Sequence, residues 1–158
     1  MPTDTAIKQN IEQARQRITT AEEQFGRPPG SVELLAVSKT QPASAILAAV
    51  EQQQYHFGEN YLQEALDKIG ALQGHAITWH FIGAIQSNKT RPIAEQFDWV
   101  HSVSSLKVAK RLSAQRPASR ADLNVCLQFN VSDEASKSGI SFEELAALAS
   151  EVAALPHI

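Results

Sequence analysis

The sequence contains little of what marks a secreted or membrane protein. Its 158 residues include one cysteine, one methionine and 6% aromatic residues. Because the lone cysteine, Cys126, cannot form an internal disulfide, the sequence fits a reducing compartment. No apolar run approaches the roughly 20 residues that a membrane-spanning helix needs, and the N-terminus has no apolar core of the signal-peptide type. We therefore expect a soluble cytoplasmic protein with no membrane partner.

The chain also lacks a large excess of charge of either sign. Its formal net charge of −3 at pH 7 gives no general attraction to nucleic acid or to anionic membranes. Apolar residues make up 43% and charged residues 20% of the sequence, as in an ordinary globular protein. The five histidines show none of the close spacing that marks a zinc site. The length favours one domain, residues 1–158.

An apolar stripe predicts a long first helix. Apolar residues recur at spacings of four and three between Ile7 and Phe25, which is the pattern of one helix face. The polar residues between them, including Arg15 and Glu22, are expected to face water. Gly26 and the prolines that follow it end the pattern.

Beyond this helix, short apolar runs alternate with helical patterns. The predicted strands are residues 34–37, 55–58, 79–85, 99–103 and 123–131. The predicted helices are residues 42–53, 60–72, 89–96, 104–114 and 141–154. Ser141 and Glu144 form a capping box at the start of the last helix. The alternation predicts five βα units with a parallel sheet, and a closed eight-unit barrel usually needs about 250 residues, so an open sheet and an incomplete barrel remain alternatives.

Lys39 is the first candidate for chemistry. It follows the apolar run 34–37 and one serine, at the carboxyl end of a predicted buried strand, where α/β proteins bind ligands. A lysine at this position is expected to be partly desolvated, which lowers its pKa and frees an amine that can attack a carbonyl. The alternative is a lysine whose stem packs while its ammonium reaches water.

Further polar residues follow the later strands. Asn60 could line a ligand site or cap the helix that follows it. Residues 80–90 resemble a P-loop, but the position before Lys89 is not glycine and the glycine spacing is wrong, so this motif is rejected. Lys137 lies in a polar segment that could bind an anion, with a solvated loop as the alternative.

Four motifs, taken together, resemble a known family. In chain order they are AVSKT at 36–40, FGENY at 57–61, HFIG with QSNK at 80–89, and SKSG at 136–139. In this order and spacing they resemble the pyridoxal phosphate homeostasis proteins, which are similar to the barrel domain of alanine racemase standing alone. The resemblance covers about residues 5–158.

The resemblance implies a fold, a cofactor and a set of site residues. The fold is an α/β, TIM-type (β/α)8 barrel of fold type III that binds pyridoxal 5′-phosphate (PLP), here with about five βα units. Lys39 matches the lysine that holds PLP as a Schiff base, and Asn60 matches a residue that lines the cofactor pocket. Ile82 and Gly83 match the strand beneath the cofactor ring, and Lys137 matches a lysine near the pocket mouth. The family is expected to handle PLP without substrate turnover, with PLP and PLP-dependent apo-enzymes as partners.

The sequence departs from the family at its end. Family members, which are expected to be monomers, continue through three further strands, whereas this chain stops at Ile158. The family's phosphate-binding segments lie in those strands. We therefore expect a truncated barrel that binds PLP weakly, or a partner chain that supplies the missing strands.

Two enzyme functions remain as alternatives. A PLP-dependent racemase would need a second base facing Lys39, and the tyrosines of this chain are Tyr55 and Tyr61. A Schiff-base lyase would use Lys39 on a sugar-like carbonyl without PLP.

Overall fold

The first helix forms as the apolar stripe predicts. The chain is described from a computed structural model that covers residues 3–131 and 139–158. Helix α1 spans Asp4–Gln24 and follows Thr3, whose side chain accepts a hydrogen bond from the Ala6 amide at 3.2 Å. This cap satisfies one of the amides that a helix start leaves without an intrahelical partner. Ile11, within the stripe, is buried in the main core.

Strands and helices alternate along the rest of the described chain. The strands are β1 (Ala36–Val37), β2 (His56–Glu59), β3 (Thr78–Phe81), β4 (Trp99–Val103) and β5 (Asn124–Leu127). The helices are α2 (Ala43–Val50), α3 (Leu62–Ala71), α4 (Thr90–Gln96), α5 (Leu106–Gln115) and α6 (Phe142–Ala153), with a 3₁₀ turn at Ser87–Lys89. Within residues 3–131 and 139–158, no helix is long and apolar enough to cross a membrane.

The strand order distinguishes the two architectures that periodicity left open. The five-stranded sheet has the order β1-β2-β3-β4-β5, and each neighbouring pair is parallel. A doubly wound sheet reverses its strand order at a switch point, whereas a TIM-type barrel adds its strands in chain order. The chain therefore forms consecutive βα units of a barrel, and the predicted fold class is confirmed.

The main core lies between the strands and the helices. Phe57, Phe81 and Val100 are buried on the strands and belong to one cluster with Ile93 and Leu112 of the helices. Because side chains alternate across a strand, the residues between them point to the opposite face, which is the inner face of the barrel. The sequence thus separates an apolar helix side from a more polar inner side.

Two charged residues of α1 do not face water as predicted. The Glu22 side chain is buried and accepts hydrogen bonds from the amides of Gly30 at 2.9 Å and Val32 at 2.8 Å. The bond from Gly30 contributes most to lowering the pKa of Glu22, and burial opposes it. Arg15 donates to the carbonyl of Gln52 at 2.6 Å, at the carboxyl end of α2. Helical periodicity could not predict either contact, because each partner lies in a segment that folds back onto α1.

The capping box predicted for the last helix is present. The Glu144 carboxylate accepts hydrogen bonds from the Ser141 hydroxyl at 2.8 Å and from the Ser141 amide at 3.2 Å. Both bonds lower the pKa of Glu144. The capping box fixes the start of α6, as the local sequence predicts.

A core substitution should show that the helix side of the sheet carries the stability. Phe97 is fully buried. Its ring packs edge-on against that of Phe81, with 5.3 Å between the ring centroids. Phe97→Ala should lower the free energy of unfolding by about 3–5 kcal/mol, because it leaves a cavity in a packed core. Phe25→Ala is the matched control, since Phe25 is 74% exposed, and it should change stability by no more than about 0.5 kcal/mol. Equal losses in urea unfolding would contradict this assignment of the core.

Candidate functional site

The carboxyl ends of the first three strands bring predicted site residues together. Val37 pairs with Gly58, and the Ser38 amide donates to the Gly58 carbonyl at 2.9 Å, so the same register sets Lys39 opposite Asn60. The Ile82 amide donates to the Glu59 carbonyl at 2.9 Å, which sets Ile82 beside Asn60. Lys39, Asn60 and Ile82 therefore occupy neighbouring positions at one edge of the sheet, which is the ligand-binding edge of such folds.

Lys39 is exposed, so the expected partial desolvation is not found. Its neighbour on the strand, Val37, is 51% exposed, because no element of the described chain covers this part of the inner face. Within residues 3–131 and 139–158, Lys39 makes no hydrogen bond or ion pair. Its amine is thus accessible to a molecule entering from the inner face.

Asn60 does not cap the helix that follows it. The residue that precedes α3 is Tyr61, which makes no capping hydrogen bond through its side chain to the described residues. The side-chain oxygen of Asn60 is instead buried and has no hydrogen-bond partner among the described residues. Buried polar atoms in proteins nearly always have a partner, so this oxygen is suited to a ligand or an ordered water.

Gly83 and Gly58 let two strand ends approach closely. A Cβ atom at Gly83 would lie 2.2 Å from the Asn60 carbonyl oxygen, which is far inside contact distance. A Cβ atom at Gly58 would lie 3.0 Å from Cδ1 of Ile82, so the Ile82 side chain covers that glycine. Strand β3 was predicted to reach residue 85 but ends at Phe81. After Phe81 the chain passes close to Asn60. Together these residues form an apolar surface beside the Asn60 oxygen.

A buried ion-pair network beneath this edge was not predicted from the sequence. The Lys68 ammonium lies 2.7 Å from Glu59 and 2.5 Å from Glu64. Glu64 and Lys68 are four residues apart on α3, which is a recognisable helical pairing. Glu59 could not have been paired with them, since it belongs to strand β2 and only the tertiary fold brings it to α3.

A chain of three histidine rings crosses the inner face of the sheet. A hydrogen bond of 2.9 Å connects Nδ1 of His56 with Nε2 of His80. A second one, also of 2.9 Å, connects Nδ1 of His80 with Nε2 of His101. Sequence spacing did not indicate this pairing, because each ring comes from a different strand. Within the described part of the chain, no group of three or more His, Cys, Asp or Glu side chains could hold a metal ion.

Burial keeps the centre of this histidine chain uncharged at neutral pH. It is the largest cause that lowers the pKa of His80 to about 4, followed by the neighbouring His101 and His56, while Asp98 opposes the shift. Burial also lowers the pKa of His101. On the inner face of β3 and β4, His80 and His101 therefore supply polar groups whose charged form is disfavoured by burial.

Lys137, the remaining predicted site residue, lies outside the described residues. Its assignment to the pocket mouth stays a prediction. Cys126, predicted to lie in the core, is half-buried on strand β5, and burial raises the pKa of its thiol.

Comparison with known proteins identifies the family of the chain. The family model described as alanine racemase, N-terminal domain, matches residues 4–158. The chain belongs to this family. It is 57% identical over 154 residues to a pyridoxal phosphate homeostasis protein of Pseudomonas aeruginosa PAO1, a match that covers 98% of this chain and 67% of that protein. The resemblance expected from the four motifs is confirmed.

Solved structures of family members and relatives agree with the fold. PipY of Synechococcus elongatus, solved with PLP bound, superposes with a TM-score of 0.75 at 37% identity, over 90% of this chain and 65% of PipY. Alanine racemase of Corynebacterium glutamicum superposes with a TM-score of 0.62 over 82% of this chain and 37% of that one, and at 20% identity it shows the fold alone. The chain spans about two-thirds of the length of the relatives it matches.

Substitution of Gly83 should disturb the candidate site through the backbone. In Gly83→Ala, the new methyl group would meet the Asn60 carbonyl oxygen 2.2 Å away, so one of the two strand ends must move. We expect a loss of about 1–3 kcal/mol in the free energy of unfolding, the usual cost of overpacking. Gly70→Ala on α3 is the control, because no atom lies within 4 Å of its added Cβ and the change should stabilise the helix. A neutral Gly83→Ala variant would contradict the close approach.

The histidine chain should make the protein less stable in weak acid. Unfolded His80 takes up a proton near pH 6.5, whereas folded His80 does so only near pH 4, so stability should fall as the pH drops between these values. The loss from this residue should be on the order of 3 kcal/mol, since one pKa unit corresponds to about 1.4 kcal/mol. His80→Gln should flatten this part of the pH profile in urea unfolding.

The exposed His75 supplies the control for that experiment. His75→Gln should keep the wild-type slope between pH 6.5 and 4, because its ring is not buried in the folded state. Lowered pKa values of Glu22 and Glu64 affect stability at lower pH, below about 4.5. An unchanged slope in His80→Gln would exclude the histidine chain as the acid-sensitive element.

Proposed function

We propose that the chain binds pyridoxal 5′-phosphate at Lys39 and serves in cofactor homeostasis rather than in substrate turnover. The observation that carries this proposal is the strand register, which sets the accessible Lys39 opposite Asn60 and sets Asn60 beside Ile82. PipY, a structure solved with PLP bound, supports the choice of cofactor. The name of the Pseudomonas aeruginosa relative supports the role in homeostasis.

The residues at this edge of the sheet fit such a ligand. PLP supplies an aldehyde that condenses with a lysine amine to form a Schiff base, with release of water. Lys39 would provide that amine, which is accessible from the inner face. The buried Asn60 oxygen would accept a hydrogen bond from the ligand. Ile82, which covers Gly58, would contact a planar ring, and Gly83 would keep the strand ends close enough to form this surface.

The remaining predicted features belong to the same proposal. Lys137 would add a positive charge near the pocket mouth. PLP-dependent apo-enzymes would be the protein partners, and the cytoplasm would be the location.

A racemase-type function is the alternative that the family name suggests. Such an enzyme needs a second base on the far side of the substrate from the lysine. Tyr55 and Tyr61 are 41% and 57% exposed, and they lie just before the start and just past the end of β2. The names of the relatives, which are called homeostasis proteins, favour binding without turnover. A Schiff-base lyase that acts without PLP is the further alternative.

Chemical trapping of the cofactor tests the proposal. The purified chain is mixed with PLP, its visible absorbance is recorded, and borohydride is added to convert an imine into a stable adduct that mass mapping locates. We expect an imine absorbance band and an adduct mainly on Lys39. Lys39→Ala should lose both, whereas Lys110→Ala, which removes an exposed lysine on α5, should keep them.

Two further measurements separate the alternatives. Incubation of the PLP-treated chain with L- and D-alanine should give no racemization, and any turnover that depends on Lys39 would favour the enzyme. The alanine racemase of Corynebacterium glutamicum, treated in parallel, shows that the racemization assay works. An adduct spread evenly over the surface lysines would refute the proposed site in this chain.

A further inference from the structure

The network around Lys68 encloses the backbone on both sides of Lys39. The Lys68 ammonium donates to the Ser38 carbonyl at 2.7 Å and to Glu59 at 2.7 Å. The Ser38 hydroxyl donates to the same Glu59 oxygen at 2.6 Å. One residue beyond Lys39, the Thr40 amide donates to Glu64 at 2.6 Å, and Glu64 is itself paired with Lys68.

The backbone conformation just after Lys39 is an unusual one. Thr40 has a φ of 63°, in the left-handed region that a β-branched residue rarely adopts. Such a conformation persists only where the surrounding structure imposes it. Two hydrogen bonds hold it here: the Gln41 amide donates to the Ser38 carbonyl at 3.1 Å, which closes a turn, and the Thr40 amide donates to Glu64 at 2.6 Å, which ties that turn to α3.

The burial of these charges is not explained by stability alone. Glu59 is fully buried and Lys68 is 6% exposed, so both lose most of their hydration on folding. The second carboxylate oxygen of Glu59 is buried without a hydrogen-bond partner among the described residues. Buried ion pairs often stabilise a fold no better than well-packed apolar side chains would. The arrangement is therefore better explained by what it fixes in place.

We propose that Glu59, Glu64 and Lys68 are positioning residues, which hold the backbone of residues 38–40 so that the Lys39 amine faces the cofactor. This inference rests on the proposed function, since it assigns a role to residues behind the lysine. Glu59 and Lys68 fix Ser38 on one side of Lys39. Glu64 fixes Thr40 on the other side.

The first test needs no cofactor. Backbone order parameters and hydrogen exchange are measured by NMR at Lys39 and Thr40 in the 158-residue chain. Glu64→Leu should raise the exchange rate of the Thr40 amide at least tenfold and lower the order parameters of both residues. Glu64→Gln keeps an oxygen acceptor but no charge. It should raise the exchange rate of the Thr40 amide clearly less than Glu64→Leu does.

A matched control comes from a second pair on another helix. Arg91 and Glu95 form an exposed ion pair four residues apart on α4, at 3.6 Å. Glu95→Leu removes a carboxylate from the same kind of helical pair and should leave the exchange of the Thr40 amide unchanged. Equal protection of that amide in Glu64→Leu and in the wild type would overturn the inference, whether or not PLP binds.

The second test asks whether positioning affects the cofactor. The dissociation constant for PLP and the circular dichroism induced in the visible band per bound PLP are compared among wild type, Glu64→Leu and Lys68→Met. Induced dichroism reports the orientation of the bound ring, which a simple loss of folded protein would not change. Glu64→Leu and Lys68→Met should bind PLP roughly tenfold or more weakly and change the dichroism per site, since small misplacements of a reacting group are costly.

Thr40→Gly keeps the test decisive if Lys68→Met fails to fold. Glycine adopts a φ of 63° without strain, so this variant should melt at the wild-type temperature or above. Its backbone is freer, so the induced dichroism should nevertheless weaken. Unchanged dichroism in Glu64→Leu and Thr40→Gly would overturn the inference.

A wild-type chain that gives no Lys39 adduct would refute the proposed function alone. The amide measurements would still decide whether the network orders residues 38–40.

Discussion

Parallel pairing of β1 with β2, and of β2 with β3, determines where the candidate site residues stand. In a parallel ladder, equivalent ends of the strands lie at the same edge, so residues that are about twenty positions apart in sequence become neighbours. Gly58 pairs with Val37 on one side and with His80 on the other. Two residues further along each strand, Lys39, Asn60 and Ile82 lie at the ligand-binding edge. A slip of one residue in either pairing would turn these side chains to the helix side.

The sheet also separates two environments that have different tasks. Its helix side is filled by large apolar residues such as Phe57 and Phe97, whose burial stabilises the fold. Its inner side carries the hydrogen-bonded rings of His56, His80 and His101. A buried ion pair lies between these two environments, where Lys68 links β2, α3 and the segment after β1. Buried charges, which lose hydration on folding, thus lie next to the residue proposed for cofactor attachment.

The sequence was most informative where structure depends on local pattern. The apolar stripe of α1 and the capping box at Ser141 and Glu144 formed as expected, since both depend on residues a few positions apart. The same local reasoning placed Glu22 in water and left Asn60 as a helix cap or a ligand contact. Glu22 is buried because the loop at Gly30 returns to it, and Asn60 is not the residue that caps α3. The first outcome depends on the path of the loop after α1, and the second on the residue at which α3 begins.

By itself, the sequence determined the alternation of strands and helices, the family, and the identity of the residues at the strand ends. These follow from short-range periodicity and from motifs that keep their order along the chain. The tertiary structure alone decided the strand order, the exposure of Lys39, and the pairing of Glu59 with Lys68. It also decided the joining of three histidines from three strands. The physical reason is that buried ion pairs and cross-strand contacts form between residues far apart in sequence, and only the packed fold brings those residues within hydrogen-bond distance.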